Sequence, residues 1–278
     1  MRRKLSGRRH PDRQERKGTM GIAVEFQSIS KRFPKAGYDA VSEVSLKINE
    51  GEIITILGTS GCGKTTLLKM VNRLYEPDHG EILLFGEPIK SLNPVQLRRK
   101  IGYVIQQIGL FPHMTISDNI ATVPKILGWN RQKVAKKVTD LLELVELDPA
   151  EFMQRYPGQL SGGQQQRVGL ARALAADPEL MLMDEPFGAI DAITRINLQN
   201  ELLKIQSKFH KTILFVTHDI TEAFKLGNHV LIMNQGQVQQ YAPPKEIRQK
   251  PANEFVSKLV NSVEEQRQEW AVGIGGYI

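Results

Sequence analysis

The stretch Gly58-Thr-Ser-Gly-Cys-Gly-Lys64-Thr65 restricts what this chain can fold into more than any other. It matches the spacing GxxxxGK[ST] in full. A short β-branched run, Glu52–Leu57, precedes it, and Lys64–Leu74 follows, with apolar Leu67, Val71 and Leu74 at helical spacing. Strand, glycine-rich loop and helix in that order form a cradle for phosphate. Glycines let backbone N–H groups point inward, and the helix N-terminus adds the positive end of its dipole. Gly58, Thr59, Ser60, Gly61, Cys62, Gly63 and the helix-opening Thr66 would then wrap the phosphates, with Lys64 on the β/γ oxygens and the Thr65 hydroxyl on Mg²⁺.

Such a loop needs a metal-side carboxylate at the end of a neighbouring strand. Leu180-Met-Leu-Met183 followed by Asp184-Glu185 supplies it, Asp184 serving the Mg²⁺ side and Glu185 polarising an attacking water. A second anion nest is legible at Leu160-Ser161-Gly162-Gly163-Gln164, two glycines after a serine just before a helix. One nucleotide does not need two γ-phosphate sites in one chain. The economical expectation is that Ser161–Gly163 serves the nucleotide held by another copy.

The rest of the chain agrees with a mainly parallel α/β sheet. Strand patterns at Ile22–Ser30, Val41–Ile48 and Glu81–Phe85 come first, and later strands (Gly102–Gln106, Leu180–Asp184, Thr212–Thr217, His229–Asn234) alternate with helical stretches. Residues 115–157 lack a convincing strand, and Val134, Val138, Leu141 and Val145 mark one helix face, so a helical insert is expected there. The organisation expected is a basic tail over 1–20, one folded domain over 21–262 with a helical subdomain at about 107–162, and a short tail over 263–278.

Composition narrows the partners. The net charge is +7, yet residues 1–20 hold eight basic side chains against Asp12 and Glu15, so the remainder is close to neutral. Nucleic acid is therefore not the expected partner; the tail reads as solvated chain, with an anionic lipid surface as the alternative. No apolar run approaches the ~18 residues of a spanning helix. Cys62, the sole cysteine, rules out an intramolecular disulfide and a Cys-built zinc site, and points to a reducing compartment.

Taken together, Gly58–Thr65, Leu160–Gln164 and Leu180–Glu185 resemble the motif set of ATP-binding-cassette (ABC) ATPases, over residues 22 to about 260. The resemblance implies an ABC-type P-loop fold with a mainly parallel core sheet, an antiparallel β subdomain and a helical insert. It also implies roles for further residues. Gln106, with Gln107 as its alternative, matches the glutamine that senses Mg²⁺, and His218 the switch histidine near the γ-phosphate. Gly188–Asp191 matches the loop that ends in an aspartate, here Asp191, and Phe33, with Tyr38 as its alternative, the aromatic that stacks on adenine.

The stretches Arg98–His113, Met183–Gly188 and Ile193–Arg195 narrow the resemblance to the ATPase subunits of osmoprotectant importers, which move glycine betaine, carnitine or choline. That implies ATP and Mg²⁺ as ligands, a homodimer, transmembrane permease subunits, an extracytoplasmic substrate-binding protein, and a place on the cytoplasmic face of the membrane. Another ABC cargo, such as an amino acid, peptide or lipoprotein, and a soluble non-transport ABC ATPase are the alternatives. Where many relatives append regulatory modules, this chain stops.

Overall fold

The computed structural model describes residues 21–34, 37–105, 109–188 and 190–262. Both tails and the segment holding Gln106 and Gln107 lie outside them.

Two sheets form the frame. The first is antiparallel and contains β1 (Ile22–Arg32), β2 (Asp39–Asn49), β4 (His79–Leu84) and the two-residue β5 (Glu87–Pro88), in the order β2-β1-β4-β5. The second has six strands: β3 (Ile53–Gly58), β6 (Ile101–Val104), β7 (Leu180–Asp184), β8 (Thr212–Val216), β9 (His229–Asn234) and β10 (Gln237–Ala242). Its order is β10-β9-β3-β8-β7-β6, parallel throughout except for the β9–β10 hairpin.

Nine α-helices complete the order among the described residues, apart from a helical stretch over 254–262 and two 3₁₀ turns, Ile89–Ser91 and Pro157–Gln159. They are α1 (Lys64–Val71), α2 (Pro94–Lys100), α3 (Ile116–Ile126), α4 (Arg131–Leu144), α5 (Pro149–Phe152), α6 (Gly162–Leu174), α7 (Ala192–Phe209), α8 (Ile220–Leu226) and α9 (Pro244–Gln249).

The central strands explain their own composition. β3, β7 and β8 are buried at every position, which requires continuous apolar runs because both sheet faces are covered. The two-residue period divides these strands between two cores. Ile53, Met181, Met183, Ile213 and Phe215 pack into one, with α6 and the helices of 116–152. Ile54, Ile56, Leu180, Leu182, Leu214 and Val216 face the other, with α1 and the antiparallel sheet. The sheet's C-terminal strand ends (Gly58, Asp184, Val216) therefore come together at one edge, where ligands of open α/β sheets bind.

Two local readings need correction, and one element has no counterpart in the sequence pattern. The helix after the glycine loop stops at Val71 because Arg73 takes a left-handed φ of 49°, so Leu74, expected on its buried face, is 45% exposed. The strand expected over Gly102–Gln106 is described only to Val104. And α2 was not foreseen in the sequence: it is seven residues long and buries only Leu97, too little for a period to show.

Candidate functional site

The loop between β3 and α1 is held open by backbone geometry that only glycine supplies. Gly63 caps α1 at φ 105°, and a Cβ there would lie 2.1 Å from the Ala40 carbonyl oxygen on β2. No side chain caps α1, so its first amides have no side-chain acceptor at the cap. The far side is clamped by the β9–β10 turn, where the Gly236 N–H donates to the Cys62 carbonyl at 3.1 Å. Cys62 itself is buried and packs into the core. Lys64 Nζ folds across the loop and donates to the carbonyls of Gly58 (2.8 Å) and Thr59 (2.9 Å).

A cleft of about 390 Å³ opens over this loop, lined by Ser60 through Thr66 together with Glu185 and His218. Residues from β3–α1, β7 and β8 thus converge although they are far apart in sequence. At its floor Thr65 Oγ1 donates to Asp184 Oδ1 at 2.9 Å. Asp184 is only 3% exposed. Burial pushes its carboxyl above the usual aspartate range, the Thr65 hydrogen bond opposes the shift, and the neighbouring Glu185 charge adds to it.

Glu185 takes a left-handed φ of 49° immediately after β7, a conformation uncommon outside glycine. Its backbone is tied on both sides, the N–H to the Val216 carbonyl at 3.0 Å and the carbonyl accepting from Gln166 Nε2 at 3.1 Å. Across the cleft, His218 Nδ1 lies 3.5 Å from Glu185 Oε2, and the histidine side chain is 69% exposed.

The remaining residues singled out in the sequence are placed elsewhere. Ser161 and Gln164 form a reciprocal capping box at the start of α6: the Ser161 N–H donates to Gln164 Oε1 at 2.9 Å and the Gln164 N–H to Ser161 Oγ at 3.3 Å. Ser161 and Gly162 are exposed and Gly163 partly so, none lining the cleft of their own chain. Asp191 caps α7 by accepting from the Thr194 N–H at 3.0 Å, which holds its carboxyl below the usual range. Phe33 follows β1 and meets Tyr75 edge-on at 5.1 Å between ring centroids; Tyr38 is exposed. Neither lines the cleft. Gln106 and Gln107 lie outside the described residues.

The structure adds groups that the motifs did not single out. Gln166 is buried and ties α6 to the Glu185 backbone. Behind His218, Glu222 is buried between Thr217 and Gln199. The spacing Asp219-x-x-Glu222 could have drawn attention to it, since it is that of a helix N-terminal capping box.

Phosphate loop, buried strand-end aspartate and flanking glutamate on a two-sheet cassette define a P-loop nucleotide-binding protein. Comparison with known proteins makes the class specific. Residues 41–188 match the family model described as ABC transporter, and the chain belongs to that family.

It is 55% identical over 237 residues to the choline transport ATP-binding protein OpuBA of Bacillus subtilis (strain 168), and 54% to the glycine betaine/carnitine/choline transport ATP-binding protein OpuCA of the same strain. Each alignment covers 85% of this chain and 62% of the relative, so the chain spans about three-fifths of their length. The glycine betaine uptake system ATP-binding protein YehX of Escherichia coli (strain K12) is 49% identical, with 85% of this chain and 76% of that one aligned. Among solved structures, the dimeric post-hydrolysis state of the ATP-binding cassette MJ0796 bound to ADP and Pi superposes with a TM-score of 0.74 at 34% identity, covering 80% of this chain and 98% of that one. No helix among the described residues is long and apolar enough to cross a membrane.

Proposed function

We propose that this chain is the ATP-hydrolysing subunit of an ABC importer for quaternary-amine osmoprotectants such as glycine betaine, carnitine or choline. The observation that carries the reading is the meeting of the phosphate loop, Glu185 and His218 in one cleft, with buried Asp184 hydrogen-bonded to Thr65 of its lining. The cargo is supported by identity of 49–55% to relatives named for choline, carnitine and glycine betaine transport. In this reading the chain works as a head-to-tail dimer, the Ser161–Gly163 nest of one subunit closing over the phosphate loop of the other. The dimer sits on the cytoplasmic face of the membrane against transmembrane permease subunits, which receive cargo from an extracytoplasmic binding protein.

Each residue's part follows from its chemistry. The loop amides and the α1 N-terminus hold the β/γ phosphates. Lys64 exchanges its two carbonyl partners for phosphate oxygens, a stronger, charge-assisted pairing. The Thr65 hydroxyl and Asp184 carboxylate are adjacent hard oxygen donors, the set that Mg²⁺ takes alongside phosphate, so these two would hold the ion, with Gln106 proposed as a third contact. Bound there, Mg²⁺ offsets phosphate charge. Glu185 takes a proton from the attacking water, and His218 donates toward the γ-phosphate from the opposite wall. Phe33 is proposed to stack on adenine and Asp191 to join the dimer contact.

The purified chain should hydrolyse ATP, and Glu185→Gln should bind ATP while its turnover falls by about 10²–10⁴-fold. It should also accumulate as an ATP-bound dimer on size exclusion. With the permease and the binding protein reconstituted in liposomes, ATP-driven uptake of a quaternary amine but not of a neutral amino acid would support the cargo. Wild-type turnover in Glu185→Gln would remove the glutamate from the mechanism.

A further inference from the structure

The loop that presents His218 is held from behind by a buried polar network that the motif residues do not include. Glu222, on the first turn of α8, is 7% exposed, unusual for an acid without a full set of partners. Both of its carboxylate oxygens accept hydrogen bonds: Thr217 Oγ1 donates to Oε2 at 2.6 Å and Gln199 Nε2 to Oε1 at 2.9 Å. Lys225 Nζ in turn donates to Gln199 Oε1 at 2.9 Å, orienting that amide.

The capping pattern shows why this glutamate points inward. In an ordinary capping box the glutamate side chain returns to the N-cap amide. Here the Asp219 N–H donates instead to Thr217 Oγ1 at 3.0 Å, while Asp219 Oδ1 accepts from the Glu222 N–H at 3.0 Å. The Thr217 hydroxyl therefore serves both neighbours, accepting from Asp219 and donating to Glu222. His218 lies between Thr217 and Asp219, which are tied to each other, and the Thr217 N–H donates to the Ile56 carbonyl at 3.1 Å, anchoring the loop to β3. A hollow of about 40 Å³ connects the network to the reacting side, lined by Glu222, Thr217, His218, Glu185 and Arg195 among others.

We infer that Glu222, through Thr217, is a positioning residue for His218, fixing the loop so that the exposed imidazole stays opposite Glu185. This rests on the role proposed above for His218. A half-buried imidazole could be held by packing, but this one is mostly exposed and depends on its backbone for aim. Gln199 and Lys225 extend the network to α7 and α8.

The test is steady-state ATP hydrolysis by the full chain, with thermal unfolding measured in parallel. Glu222→Gln should lower kcat about tenfold while KM for ATP stays within about twofold, since nothing that touches nucleotide is removed. Thr217→Val should do the same and Thr217→Ser should restore activity. That pair decides the matter if Glu222→Gln folds poorly. In a His218→Ala background, itself slowed about 10²-fold or more, Glu222→Gln should add no further loss. Additive losses, equal activity of Thr217→Ser and Thr217→Val, or wild-type kcat in Glu222→Gln would overturn the inference alone. Wild-type kcat in His218→Ala would sink the histidine's role and this inference with it.

Discussion

Asp184 shows how the chain accepts instability in return for chemistry. Its carboxylate is buried beside a second acid, Glu185, and a single threonine hydroxyl donates to it among the contacts described. Charge in such a place is costly, and the raised pKa is the measure of it. A carboxyl whose pKa rises on folding stabilises the fold at low pH, where it is protonated in both states. That contribution fades as pH climbs from the ordinary aspartate value of 3.8 through the higher folded one. Asp184→Asn should therefore raise the unfolding midpoint of the nucleotide-free protein at neutral pH, by about 2–4 °C. The gap from wild type should widen in urea titrations as pH climbs above 3.8, while Mg-ATP turnover is lost. A variant with a lower midpoint than wild type throughout would show that the carboxylate is stabilising in place. At this scale the sequence was informative where backbone chemistry is rigid, as at Gly63 and Lys64. It was silent about Gln166, whose partner is set by tertiary approach between elements that no local pattern relates, and at Glu222 it offered the capping spacing from Asp219 but not the partners Thr217 and Gln199.

Elements were legible in proportion to how fully they are buried. β7 falls on the residues the pattern indicated, Leu180–Asp184, and β9 likewise on His229–Asn234. By contrast α2 announces itself through chemistry rather than period: Asn93 caps it by accepting from Val95 and Gln96, and Pro94 stands at its first position. The segment entering α3 depends on one side chain. Fully buried Asn119 accepts from the Phe111 N–H at 2.8 Å and donates to the carbonyls of Phe111 (3.1 Å), Met114 (3.2 Å) and Thr115 (3.0 Å). Asn119→Ala leaves several of these groups buried and unpaired. It should destabilise the chain by about 2–4 kcal/mol in urea denaturation. A loss under about 0.5 kcal/mol, the scale of an ordinary surface change, would mean that water replaces the side chain there.

For the whole molecule, the feature that matters is that exposed Ser161 and Gly162 do not line the cleft of their own chain. If two copies share each nucleotide, Ser161→Arg and Lys64→Ala should each be inactive as purified proteins. Mixed in equal amounts they should regain activity, because a mixed dimer holds one site with Lys64 and Ser161 both intact. About a quarter of wild-type turnover is expected if the two sites act independently. No recovery, with dimers present on size exclusion, would argue against sites shared between subunits. Strand order at this scale was not legible in the sequence, since the partners of β3 are chosen by packing and not by proximity along the chain. That choice bears on how the protein is made. Ile53 lies opposite Ile213 and Ile54 opposite His229, so both neighbours of the phosphate-loop strand are translated long after it. At ribosomal speeds the wait is on the order of ten seconds, during which a mostly apolar strand has no native edge to join. A nascent chain halted before residue 212 would carry the phosphate-binding motif complete with neither neighbour of its strand yet made.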